Sequence, residues 1–133
     1  MPTNHFVEPA SSEQQVSCVI RAYIDATAQA DSQRARTLFH SNAVMSGDLP
    51  GGVQTGSPEP FFEALENATK RPSETGYEGR VESVRVFGNS AIAELVEKNL
   101  SGYDFTNHFH LLQSGGAWLI VSKLSCATAI NER

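Results

Sequence analysis

With 133 residues, 40 % of them hydrophobic and 19 % charged, the chain has the length and balance of one globular domain, too short for two cores. A formal charge of −5 at pH 7 argues against a nucleic-acid partner, because phosphate binding needs a basic face and none is visible. No apolar run approaches the roughly 18 residues of a membrane span, and the opening MPTNHFVEPASSEQQ has neither the basic flank nor the apolar centre of a secretory signal.

In chain order, residues 1–11 hold two prolines and little periodicity, and read as a flexible arm. A single domain is expected over 12–127, with a tail at 128–133. Ser11 or Ser12 caps a helix in which Val16, Val19, Ile20, Tyr23, Ile24 and Thr27 recur at intervals of three and four, ending near Ala30. Asp31 or Ser32 opens a second, shorter helix carrying Ala35, Leu38 and Phe39, which Ser41 and Asn42 break. The glycine- and proline-rich AVMSGDLPGGVQTGSPEP predicts one short strand at 43–46 and a long loop. A third helix fits 61–68. The second half reads as strands at 79–87, 90–100, 103–113 and 117–125, separated by GlyAsn, SerGly and SerGlyGly turn signals. Helices first and an antiparallel meander after them make the fold class α+β. Cys18 and Cys126 lie far apart without metal or redox spacing, which predicts reduced, buried thiols in a cytoplasmic protein.

The SerGlyGly turn admits two registers. A three-residue bulged turn pairs Gln113 with Ala117, and so Asn107 with Lys123 and Phe109 with Val121. One face then carries Tyr103, Phe105, Asn107, Phe109, Leu111, Leu119, Val121 and Lys123, joined by Ala91, Ala93, Leu95 and Glu97. The other carries His108, His110, Leu112, Trp118, Ile120 and Ser122. A two-residue turn instead puts Asn107 on the face of Trp118. On the first register the helices cover the Asn107 face, and the opposite face packs on a second subunit.

Two blocks of sequence now carry a resemblance. YIDATAQADSQRARTLFHSNAVMSG, at 23–47, resembles the helix–Asp–helix–Phe-His block of the nuclear-transport-factor-2-like superfamily. NSAIAELVE and DFTNHFHLLQSGGAWLIVSKL resemble its sheet. The nearest groups are the lumazine-binding subgroup and the SnoaL-like polyketide cyclases, and the likeness spans roughly 13–125. It implies a cystatin-like cone: N-terminal helices packed in the concave face of a strongly curved antiparallel sheet, a pocket at the open end, and homodimers across the sheet. It does not choose a function, since the scaffold hosts isomerases, dehydratases, cyclases, hydrolases and non-catalytic binders. Tyr23, Asp31, Phe39, His40, Trp118 and Lys123 fit the pattern. Asn107 and Asn42 stand where the subgroup often has aspartate, which removes two candidate bases.

The candidate chemistry is set by residue type and face. His108 and His110 share one strand face, but no third ligand of metal-like spacing accompanies them, so no metal is expected and they join Trp118 and Ile120 at the dimer face. Asn107 and Lys123 offer an amide and an ammonium that could hold a carbonyl or enolate; the plain alternative is a lysine reaching solvent. His40 offers an imidazole, a side chain suited to carrying a proton, or merely ends a helix. Tyr23 is either core or a hydroxyl donor to the pocket. These four form the catalytic set, with Glu97 and Asp48 as further possible bases. Phe39, Met45, Phe61, Phe105, Phe109 and Glu97 are the expected ligand-binding wall. No dinucleotide, P-loop, HExxH or GxSxG motif is present, so no cofactor is expected. The sequence thus predicts a cofactor-free isomerase, dehydratase or cyclase acting on a cyclic or carbonyl-containing metabolite, or alternatively a non-catalytic binding or assembly protein.

Overall fold

The computed structural model describes residues 9–132. The expected arm, His5 included, falls outside the described residues except for 9–11. Helix α1 (Ser12–Ala28) begins on a capping box: Ser11 Oγ accepts from the Gln14 amide at 3.2 Å, and Gln14 Oε1 accepts from the Ser11 amide at 2.8 Å. Its buried stripe is Val16, Ile20, Tyr23, Ala26 and Thr27, and each large apolar side chain on it stabilises the fold by about 1.5–3 kcal/mol. The helix closes in a Schellman motif, with Asp31 N–H donating to Ala26 C=O at 2.8 Å and Ala30 N–H to Thr27 C=O at 3.1 Å. Ala30 takes the left-handed position at φ 52°.

Helix α2 (Ser32–Thr37) is capped by Asp31, whose carboxylate accepts from the Arg34 amide at 3.1 Å. It stops before Leu38 and Phe39, which the sequence assigned to it. The Leu38 carbonyl instead accepts from Ile120 N–H at 2.9 Å, and Phe39 opens strand β1 (Phe39–Leu49). Pairing with a buried strand outweighs one more helical turn. The expected long loop is a hairpin: β1 turns through Pro50 and Gly51, the latter at φ 110°, into β2 (Gly52–Gly56). Helix α3 (Glu59–Glu66) follows, tied to α2 by Arg36, which bridges Glu59 at 2.7 Å and Glu66 at 3.1 Å and lies over the Phe62 ring.

Strands β3 (Glu78–Phe87), β4 (Ser90–Leu100), β5 (Tyr103–Ser114) and β6 (Ala117–Ala129) form the expected antiparallel meander. The sheet order is β2-β1-β6-β5-β4-β3, and β1 runs parallel to β6, so the sheet is mixed. The helices cover one face, where Ala91, Ala93, Leu95, Phe109, Leu111, Trp118 and Ile120 meet the α1 stripe.

That list corrects the face assignment. The turn after β5 has two residues, so Gln113 pairs with Trp118 and Leu111 with Ile120; the ladder then slips, and His110 pairs with Ser122 and Phe109 with Lys123. Val121 is the extra residue of a β-bulge. Trp118 and Ile120 therefore lie inside, at 5 % and 0 % exposure, and not on a dimer face. Trp118 Nε1 donates to Gln15 Oε1 of α1 at 3.2 Å. His108 and His110 remain on the outer face, with Ile92, Leu112, Leu124 and Val44 exposed around them. Asn107 pairs with Ser125, not with Lys123. Both cysteines are exposed, against expectation: Cys18 lies off the buried stripe of α1, and Cys126 falls on the outer side of β6. Among the described residues, no helix is long and apolar enough to cross a membrane.

Candidate functional site

At the end of the sheet where β4 finishes and β5 begins, a pocket of about 340 Å³ opens between the β1–β2 hairpin, α3 and β6. Met45, Leu49, Phe61, Leu100 and Phe105 supply its apolar wall, and Gln54, Ser57, Glu97, Lys123 and Ser125 its polar points. Strand alternation explains the wall: Glu97 continues the inner row of Ala91, Ala93 and Leu95, and Met45 and Lys123 pair across β1 and β6.

The polar chain behind this wall is continuous. Glu97 is fully buried; one carboxylate oxygen accepts from the Tyr77 hydroxyl at 2.5 Å and the other from Asn107 Nδ2 at 2.6 Å. Asn107 Oδ1 in turn accepts from Ser125 Oγ at 2.6 Å, and Asn107 Nδ2 also approaches the Leu95 carbonyl at 3.4 Å. Charge-assisted bonds of this kind hold a buried carboxylate that would otherwise be costly. Gly79 pairs with Glu97 across β3 and β4, and a Cβ there would stand 2.9 Å from Ile24 and 3.1 Å from the Tyr77 hydroxyl. Glycine at this position gives the phenol room to reach the carboxylate. Burial, reinforced by the Glu97 charge, pushes the Tyr77 phenol far above its ordinary range, so it stays protonated and donates.

Lys123 meets different surroundings. Its residue is 6 % exposed, and Nζ stands 4.8 Å from the Phe61 ring centre and 5.2 Å from that of Tyr23. Burial lowers its pKa, opposed but not overcome by the Glu97 charge. Tyr23 stacks on Phe61 and meets Phe109 edge-on, with its hydroxyl buried near that of Thr27.

Of the residues singled out from sequence, Met45, Phe61, Phe105, Glu97 and Lys123 line the pocket. Tyr23, Phe39, Phe109 and Asn107 form the packed layer behind it, so three donors do not converge on the cavity; the lysine alone reaches it. His40 lies outside, its Nδ1 accepting from the Asn42 amide at 3.0 Å, and Asp48 is exposed. His108 Nε2 stands 3.2 Å from Glu94 on the outer face, and no group of three potential metal ligands gathers among the described residues. Sequence reasoning missed Tyr77 and Ser125. Ser125 was findable, two positions after Lys123 on one strand. Tyr77 carries no local signal, because its partner is twenty positions away.

Helices on one face of an open six-stranded mixed sheet, with a pocket at one end, define an NTF2-like cone fold. Solved structures share it: an NTF2-like protein of unknown function from Shewanella baltica OS155 has a TM-score of 0.79 at 23 % identity, over 90 % of this chain and 98 % of that one. Another from Silicibacter pomeroyi DSS-3 has a TM-score of 0.76 at 24 % identity, over 86 % and 93 %. Within this class the chain belongs to the family described as "Putative lumazine-binding", whose model matches residues 11–124. A curated relative, Aldolase FrzH of Cladobotryum sp, is 26 % identical over 103 residues, 77 % of this chain and 80 % of that protein.

Proposed function

We propose that the pocket binds a small carbonyl-containing organic molecule and supports cofactor-free acid–base chemistry on it, of the isomerase, dehydratase or cyclase kind. The observation that carries this reading is one apolar cavity walled by both a buried carboxylate, Glu97, and a buried amine, Lys123. Such a cavity holds a ligand by apolar contact and orients it by a few polar points. In this reading Glu97 takes a proton from the carbon next to a carbonyl, and Lys123 meets the carbonyl itself. Tyr77 and Asn107 hold the carboxylate in place. The proton carrier thus becomes Glu97 in place of His40, which lies outside the lining. The family description, and the naming of the Cladobotryum relative as an aldolase, both support a pocket of this kind.

A panel of cyclic ketones and aromatic carbonyl compounds, screened by calorimetry, tests binding; if none binds, the reading fails. For those that bind, proton NMR in deuterated buffer should show exchange beside the carbonyl with the native chain and none with Glu97→Gln. Binding without exchange in either would favour the non-catalytic reading, which gains support from asparagine at 42 and 107.

Two further parts of this reading concern the molecule's surroundings. The apolar outer sheet face around His108 and His110 supports a homodimer across the sheet. The two free, exposed thiols support a reducing compartment such as the cytoplasm.

A further inference from the structure

The Lys123 ammonium has no hydrogen bond and no ion pair among the described residues, although the residue is only 6 % exposed. An ammonium in water has three donors satisfied; here the neighbours of Nζ are two aromatic faces and the open pocket. A lysine kept only for packing has no need of a cavity at its tip, and one kept for charge would normally be given a carboxylate within contact distance. Glu97 is near enough to be felt electrostatically, yet its two oxygens are occupied by Tyr77 and Asn107. The amine is therefore left free at a pocket wall that Glu97 also lines.

We propose that Lys123 is a nucleophile that condenses with an aldehyde or ketone in this pocket to form an imine. The inference rests on the carbonyl-binding reading above and adds a covalent step to it. The nitrogen lone pair attacks the carbonyl carbon, and the carbonyl π electrons pass to oxygen. A proton moves from nitrogen to that oxygen by way of Glu97, giving a carbinolamine. One further proton, drawn from solvent, lets the hydroxyl leave as water while the nitrogen lone pair forms the C=N⁺ bond. The sum is amine, carbonyl and proton on one side, iminium and water on the other. Burial lowers the lysine pKa, which supplies the neutral amine the first step needs. The iminium then sits over the faces of Tyr23 and Phe61, where a cation is favoured. Glu97 is beside it to remove a proton from the adjacent carbon and give the neutral enamine.

The chain makes the test clean, because its lysines are Lys70, Lys98 and Lys123 alone. The intact protein is incubated at pH 7 with benzaldehyde and sodium cyanoborohydride, and reduced adducts are located by peptide mapping. The expected result is an adduct at Lys123 forming at least about tenfold faster than at Lys70 or Lys98, and lost in Lys123→Arg, which keeps the charge but cannot form the imine. Benzamide, of similar shape but unable to condense, is titrated in parallel to report whether the pocket accepts the ring. Benzamide binding with no preferential adduct overturns the imine and leaves the pocket reading intact. Neither binding nor adduct overturns both.

Discussion

Ile120 and Lys123 project into the same interior although three positions separate them along β6. Ile120 pairs with Leu111 and Lys123 with Phe109, and the bulge at Val121 takes up the odd step. In a regular strand a separation of three places two side chains on opposite faces. One inserted residue thus lets β6 contribute core beneath α1 at one end and an amine to the pocket at the other.

Burying that amine should be measurable. Lys123→Met is expected to raise the melting temperature at neutral pH. The native fold lowers the lysine pKa below its ordinary 10.5, so between the two values the unfolded chain binds more protons and the stability of the native protein climbs with pH. The variant lacks that climb, so its advantage should shrink from pH 7 to pH 10. Melts at both values check this, and an advantage that stays constant would contradict the assigned sign.

Asn107→Leu should destabilise the protein by about 1–3 kcal/mol, since it strips a donor from buried Glu97 and an acceptor from Ser125. From sequence alone Asn107 was a pocket-wall donor whose loss should weaken binding and leave stability unchanged. Its complete burial reverses that expectation. Denaturant unfolding decides between them.

Ala30→Gly should stabilise the fold by about 1 kcal/mol. The residue closing α1 sits at φ 52°, a conformation that a side chain disfavours and glycine adopts freely. A lowered melting temperature would show that the Ala30 methyl contributes more by packing than its backbone costs.

Helix α1 and the turns of the meander were legible because they rest on local signals: the stripe of α1, the Ser11 cap, and the glycine turns. The faces of β6 were not. The two-residue turn gives the pairing as far as Leu111, and the three-residue turn gives only the facing of Lys123 beyond it; the bulge at Val121 creates a pairing, Asn107 with Ser125, that neither register contains. The start of β1 was hidden for a related reason, since Phe39 continues a helical pattern until Ile120 offers its amide to the Leu38 carbonyl. The pocket lysine and carboxylate could be named from strand alternation. The grip of Tyr77 on Glu97 depends on a contact between residues far apart in the chain.

The outer face should mediate self-association. Sedimentation at micromolar concentration is expected to show twice the 14.4 kDa chain mass, and Leu112→Glu with Leu124→Glu should return it to one. A native monomer would mean that exposed Ile92, Leu112 and Leu124 face water.

The contact between Trp118 and Gln15 has a practical side. The chain contains one tryptophan, and it is 5 % exposed where α1 lies on β6, near the hairpin turn and toward the opposite end of that strand from the pocket. Emission excited at wavelengths that tyrosine does not absorb therefore comes from a single indole clamped beneath the first helix. A red shift marks that helix lifting from the sheet.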